Sequence, residues 1–171
     1  KIMSFAKKNL DATIALHGID KIEQLLPGKI NVLNVWKEGV TIEYGVNDEN
    51  VGKYAIKSFT AATKALKDGQ IDVLVTAPVN KYNIQSEEFK FPGHTDYLNQ
   101  ELEGDALMLM VQDDLRVGLI TDHVPVNEVA SHLTEALIKS KIETIKKSLI
   151  QDFSISKPKI AVLGLNPHAG D

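Results

Sequence analysis

Apolar runs rich in valine and isoleucine recur at residues 30–35, 40–44, 71–75, 106–111, 116–121 and 159–165, and their β-branched content predicts strands. Between these runs the apolar positions shift to helical spacing. Val51, Ala55, Phe59, Ala62 and Leu66 form one stripe, which Gly69 closes as a C-terminal cap. A second helix is predicted to start at Thr134, whose hydroxyl can cap it with Glu135 in the first turn. It continues through Leu137, Ile138, Ile142, Ile145 and Leu149 with its lysines outward. Near-continuous apolar strands separated by amphipathic helices predict an α/β fold. The link Gln112-Asp113-Asp114-Leu115-Arg116 is short enough for a hairpin, so the sheet is expected to be mixed, with flanking helices. The irregular stretch 78–97, with Pro92-Gly93 inside it, is the expected crossing between two lobes, residues 1–90 and 91–171.

Composition narrows the function classes. The chain has 171 residues, 43% of them hydrophobic, 25% charged and 6% aromatic, which is the profile of a folded globular protein. With 19 basic against 23 acidic residues there is no surplus of positive charge to neutralise a phosphate backbone, so nucleic acid is not an expected partner. No run approaches the roughly 20 apolar residues of a membrane span, and no membrane partner is expected. The absence of cysteine excludes disulfides, thiolate metal ligands and a cysteine nucleophile, and fits a reducing, cytoplasmic setting. The chain starts within a helical pattern and stops just after a predicted strand, so both ends are expected to belong to a longer protein.

In α/β sheets the ligand crevice lies beyond the carboxyl ends of the strands. Three predicted strands run into polar loops of that kind: Thr76-Ala77-Pro78-Val79-Asn80-Lys81, Thr121-Asp122-His123-Val124-Pro125 and Asn166-Pro167-His168-Ala169-Gly170. His123 and His168 each sit just past an apolar strand and next to a proline. Rigidly held neutral imidazoles are good ligands for zinc or another divalent cation. Either one alone would read as a loop cap; two at equivalent positions favour a metal site, with a third ligand from Asp122, from another subunit or from further chain.

Phe91-Pro92-Gly93-His94-Thr95-Asp96-Tyr97 offers adjacent donors at His94 and Thr95 beside a glycine that admits close approach, which suits phosphate or carboxylate. A Pro-Gly turn followed by a helix that Thr95 caps fits the same spacing equally well. Lys81 can bind an anionic group or orient a carbonyl, or simply lie exposed. His17, beside Gly18, reads as a turn residue and His132 as a surface residue, and neither is given a role. The pairs Glu87-Glu88 and Asp113-Asp114 read as solvated loop carboxylates. Neither a Rossmann fingerprint nor a Walker loop occurs.

These loops carry a family resemblance. Leu74-Val75-Thr76-Ala77-Pro78-Val79-Asn80-Lys81, Phe91-Pro92-Gly93-His94-Thr95-Asp96-Tyr97-Leu98, Leu115-Arg116-Val117 with His123-Val124-Pro125, and Leu163-Gly164-Leu165-Asn166-Pro167-His168-Ala169-Gly170 occur in the order seen in 4-hydroxythreonine-4-phosphate dehydrogenases of vitamin B6 biosynthesis. The resemblance covers essentially the whole chain but about the central half of the family's length. It implies an architecture like that of isocitrate and isopropylmalate dehydrogenases. It also implies NAD or NADP held without a Rossmann fingerprint, a divalent metal (Zn, Mg or Co), and a homodimer with active sites at the subunit interface, so that residues 91–171 contribute to cleft and dimer surface. By motif match His123 and His168 fall on two of three metal-binding histidines, and His94 and Thr95 on the substrate-binding pair. The third histidine, most of the basic substrate-gripping residues and the opening motif M-G-D-P-A-G-I-G-P-E are not in these residues. Asp122 stands where a small or hydroxyl residue is expected.

The implied reaction is oxidation of 4-phosphooxy-L-threonine to 2-amino-3-oxo-4-phosphooxybutanoate followed by decarboxylation. The metal would lower the pKa of the substrate hydroxyl, polarise the new ketone and stabilise the enolate left by CO2 loss. Alternatives are a related dehydrogenase of phosphorylated four-carbon sugar acids, or a metallohydrolase or lyase in which the ion activates water. The 171 residues by themselves are expected to be a silent piece.

Overall fold

The computed structural model describes residues 2–168. Its contacts divide the chain into two compact units, Lys1–Glu103 and Gly104–Asp171. This division falls after residue 103, whereas the sequence pattern places it after residue 90.

The first unit opens with α1 (Ile2–Asn9) and a two-stranded parallel sheet of β1 (Leu16–Ile19) and β2 (Ile30–Leu33). His17 therefore lies in a strand opposite Asn31, not in a turn. The Asn34 N–H continues the ladder to the Ile19 carbonyl at 2.8 Å. The long helix α2 (Glu49–Lys67) bears out the predicted stripe. Asp48 caps it by accepting from the N–H groups of Asn50 and Val51, and Gly69 ends it with φ +67°, a conformation that costs glycine little. α3 (His94–Glu101) follows.

The stretch 78–97, the expected crossing, instead carries core of this unit. Ile84 and Phe89 are buried against Phe59 of α2, with Leu74, Val79, Phe91, Tyr97 and Leu98 packed around them. Gly52 brings α2 against the backbone of that stretch: a Cβ there would lie 1.8 Å from the Asn83 carbonyl oxygen.

The second unit contains the hairpin β3 (Leu109–Gln112) and β4 (Leu115–Gly118), antiparallel as the short link predicts, with Asp113 at φ +45° in the turn. A short helix α4 (Val129–His132) precedes α5 (Glu135–Gln151). The Thr134 hydroxyl accepts from the Leu137 N–H at 3.1 Å, the cap read from sequence. The hairpin rests on α5. Gly118 leaves room for Ile145, Lys141 Nζ donates to the Ala106 carbonyl at 2.7 Å, and the Arg116 guanidinium lies 4.5 Å from the centre of the Phe153 ring.

The order of helices and strands is α/β, with one parallel and one antiparallel pair. The predicted strands at 40–44, 71–75 and 159–165 are not in either sheet. Their sequences supply strand propensity, but a strand also needs a neighbour to complete its hydrogen bonds. No helix among the described residues is long and apolar enough to cross a membrane.

Two substitutions check the packing and the cap. Gly52→Ala, which must displace the Asn83 backbone, is expected to destabilise the first unit by about 1–3 kcal/mol. Thr134→Ala is expected to cost about 1 kcal/mol by freeing the Leu137 N–H. Urea denaturation followed by circular dichroism reads both, and the wild-type midpoint in either variant would contradict the corresponding contact.

Candidate functional site

His94 is the first residue of α3. Its imidazole meets the Phe59 ring edge-on, with centroids 4.7 Å apart and planes at 84°. Phe59 also packs on Tyr97 at 5.0 Å, and Tyr97 in turn touches Phe89 at 5.3 Å and Phe91 at 5.1 Å. This ring cluster fixes where α3 begins. The residue before it, Gly93, is buried and extended and supplies no side-chain cap, so the N–H groups of the first turn are open. Thr95 lies inside that turn, exposed, and is not the cap.

The Lys81 side chain runs across Gly93. A Cβ built on the glycine would be 3.5 Å from Lys81 Cε and 3.8 Å from Nζ. Two amides hold this approach. Asn80 Oδ1 accepts from the N–H groups of Tyr82 and Asn83, at 3.0 and 3.1 Å, while its Nδ2 donates to Asn47 Oδ1. Gln85 Nε2 donates to the carbonyls of both Lys81 (3.3 Å) and Phe91 (2.9 Å), tying the lysine turn to the segment that enters α3. The result is an ammonium, open helix N–H groups, an imidazole and a hydroxyl in one neighbourhood, which is chemistry for an oxyanion. Burial, and then the Glu101 carboxylate one turn on, raise the pKa of the Tyr97 phenol above its usual value of 10.0, so at neutral pH it stays a neutral part of the ring cluster.

Asn80 is readable from sequence, because an asparagine before a lysine-containing turn is a common backbone mimic. Phe59 is readable as core but not as the platform under His94. Nothing in the sequence marks Gln85.

His123 and His168 both belong to the second unit and both are exposed. His123 has φ +52°, a conformation disfavoured for a residue with a Cβ. The His168 N–H donates to Asn166 Oδ1 at 2.9 Å, so the asparagine side chain shapes the turn around Pro167. As donor types the two imidazoles suit zinc or a similar cation. Among the described residues, however, no group of three His, Asp or Glu side chains could hold a metal ion. His132 pairs loosely with Glu128 at 3.9 Å on the surface.

A cleft of about 780 Å3 in the first unit is lined by Trp36, Lys57, Thr60, Lys64, Tyr97 and Glu101, among others. None of the four expected site residues lines it. Its lysines already face carboxylates: Lys57 with Glu38 at 3.4 Å, Lys64 with Asp68 at 2.6 Å and Lys67 with Glu101 at 3.5 Å. The Glu38 pKa is lowered by a hydrogen bond from its own backbone and, less strongly, by Lys57.

Comparison with known proteins agrees with the motifs. The family model described as "Pyridoxal phosphate biosynthetic protein PdxA" matches residues 1–171. The 4-hydroxythreonine-4-phosphate dehydrogenase of Bacteroides thetaiotaomicron is 40% identical over 100% of this chain and 48% of its own length. That of a Sulfurihydrogenibium species is 35% identical over 100% of this chain and 53% of its own. The crystal structure of a 4-hydroxythreonine-4-phosphate dehydrogenase from Burkholderia phymatum superposes with a TM-score of 0.81 at 25% identity, covering 98% of this chain and 52% of that one. The chain spans about half the length of the curated relatives it matches, and with the model matched along its whole length it belongs to the PdxA family.

Proposed function

We propose that the protein to which these residues belong is an NAD(P)- and divalent-metal-dependent dehydrogenase. It would oxidise 4-phosphooxy-L-threonine to 2-amino-3-oxo-4-phosphooxybutanoate, which then loses CO2, in pyridoxal phosphate biosynthesis. Its architecture is of the isocitrate and isopropylmalate dehydrogenase kind, and it works in the cytoplasm as a homodimer whose subunit interface completes each active site. The family membership supports the reaction class. The observation that carries the reading to particular residues is the Lys81 ammonium lying over Gly93 at the open start of α3.

His94 and Thr95 bind and orient the substrate. The imidazole is held edge-on to Phe59, so little side-chain entropy remains to be lost when it donates to the substrate. The Thr95 hydroxyl and the first-turn N–H groups add neutral donors, and Lys81 adds charge without a rigid geometry. His123 and His168 are the two imidazoles this chain would give to the cation. The bound cation and nicotinamide supply Lewis acidity and a hydride acceptor. The 171 residues alone, with two of the donors, have no turnover.

In a family-length protein carrying these residues, His94→Ala and Thr95→Val are expected to lower kcat/KM for the phosphorylated substrate by about 10- to 100-fold, the worth of a hydrogen bond to a charged group. Substrate-dependent formation of reduced nicotinamide reads this effect. His123→Ala and His168→Ala are expected to lose both turnover and retained metal, the latter read by elemental analysis of the purified protein. Release of inorganic phosphate with no reduced nicotinamide would overturn the dehydrogenase reading, and wild-type metal content in both histidine variants would overturn the ligand assignment.

A further inference from the structure

One exposed amide closes the excursion of the chain that carries Lys81. Residues 80–91 make this excursion, with Ile84 and Phe89 as its buried anchors. Asn80 opens it: its carbonyl accepts from the Ile84 N–H at 3.3 Å and its side chain from the N–H groups of Tyr82 and Asn83. Ser86 and Phe89 reverse it by exchanging backbone hydrogen bonds at 3.1 and 3.3 Å, and the Ser86 hydroxyl also accepts from the Phe89 N–H. Gln85 reaches across between these local turns. Its Nε2 carries two hydrogens, and it donates to the carbonyls of both Lys81 and Phe91.

The core does not depend on this amide. Gln85 is exposed, while the packing of the excursion on α2 runs through Ile84, Phe89 and the Gly52 contact. What the amide sets is a spacing. One carbonyl belongs to the residue that bears the ammonium; the other lies two residues before Gly93, over which that ammonium reaches. Gly93 has φ 179°, which any residue adopts, and apart from its chain neighbours a methyl there would meet only Lys81 Cε and Nζ within 4 Å. The glycine therefore leaves room for the lysine. A lysine stem is flexible over its four carbons, so its reach is fixed only by the backbone at either end. Lys81 has no carboxylate in ion-pair range among the described residues, unlike Lys57, Lys64 and Lys67.

We propose that Gln85 is a positioning residue for anion recognition. By holding the carbonyls of Lys81 and Phe91 on one amide, it keeps the ammonium over the first-turn N–H groups of α3, so that both act on the same oxyanion. Gln85 itself touches no ligand. The role rests on the assignment of Lys81 to substrate binding made above, and it extends that assignment to a side chain outside the recognisable motifs. Without the amide the lysine keeps its charge but samples more positions, and more freedom is lost on binding.

The test is a double-mutant cycle in a family-length protein carrying these residues. Gln85→Met keeps the length of the side chain and removes its donors. It is expected to raise KM for the phosphorylated substrate about tenfold while kcat stays within about twofold. In the Lys81→Met background the same change is expected to have no further effect, because a residue that acts through the lysine is silent without it, whereas a merely structural role adds in both backgrounds. Gln85→Asn, whose amide is one methylene too short to span both carbonyls, gives the same pattern and serves as the second variant if Gln85→Met melts early by circular dichroism. A readout that needs no turnover is acetylation of Lys81 by acetic anhydride, followed by mass spectrometry, with inorganic phosphate as the protecting ligand. Half-protection in Gln85→Met is expected at about ten times the wild-type phosphate concentration. If the wild type forms no reduced nicotinamide while this shift in protection is present, the dehydrogenase reading falls and the positioning role stands. The positioning role is overturned if phosphate does not protect wild-type Lys81, if the Gln85 variants keep wild-type KM and protection, or if Gln85→Met costs as much without Lys81 as with it.

Discussion

The packing of Phe59 under the start of α3 is the constraint on which the candidate site depends. Phe59 is buried in the middle of α2, and two rings of α3, those of His94 and Tyr97, meet it directly. Phe89 and Phe91 complete the cluster through Tyr97. Each such ring pair is worth about 0.5–1.5 kcal/mol beyond its buried area, so several together suffice to hold a short helix whose own propensity would not. The helix start then determines where the open N–H groups, the imidazole and the threonine hydroxyl lie. Gln85 adds the complementary restraint from outside the cluster by holding the carbonyls of Lys81 and Phe91 on one amide.

The two pairs of candidate residues are consequently in different states of readiness. His94 has its position set by packing before any ligand arrives, whereas His123 and His168 are exposed, His123 at a positive φ and His168 on a turn where its N–H donates to Asn166 Oδ1. A disfavoured φ at His123 is maintained at a cost of order 1 kcal/mol, which is a reason for a histidine there to have a role but is not a metal site in itself. The neighbourhood of His94 is thus ordered by packing within the first unit, whereas His123 and His168 remain accessible on the surface of the second.

How much of this was legible in the sequence follows from the range of each interaction. The Thr134 cap, the Gly69 stop and the hairpin around Asp113 involve residues within a few positions of one another, and the sequence carries them plainly. The strand containing His17 is not announced, because Leu16-His17-Gly18-Ile19 has a glycine and an imidazole where a strand pattern expects apolar side chains, and its pairing with residues 30–33 supplies the stabilisation. The candidate site divides along the same line. His94 and Thr95 stand out by their motif, but the Phe59 platform and the Gln85 tie connect positions whose proximity only the folded chain reveals. The stretch 78–97 reads as a linker because its apolar residues have no period, yet Ile84 and Phe89 are among the most buried in the chain.

The same distinction of range explains why the helices are complete while several predicted strands are open. An α-helix closes its hydrogen bonds four residues along its own segment, so α2 and α5 need only a surface to rest on. A strand closes its bonds on another segment, and the segments at 71–75 and 159–165 have the composition of strands yet enter neither sheet among the described residues. Where both members of a pair lie within the chain and close in sequence, as in β3 and β4, the pair forms.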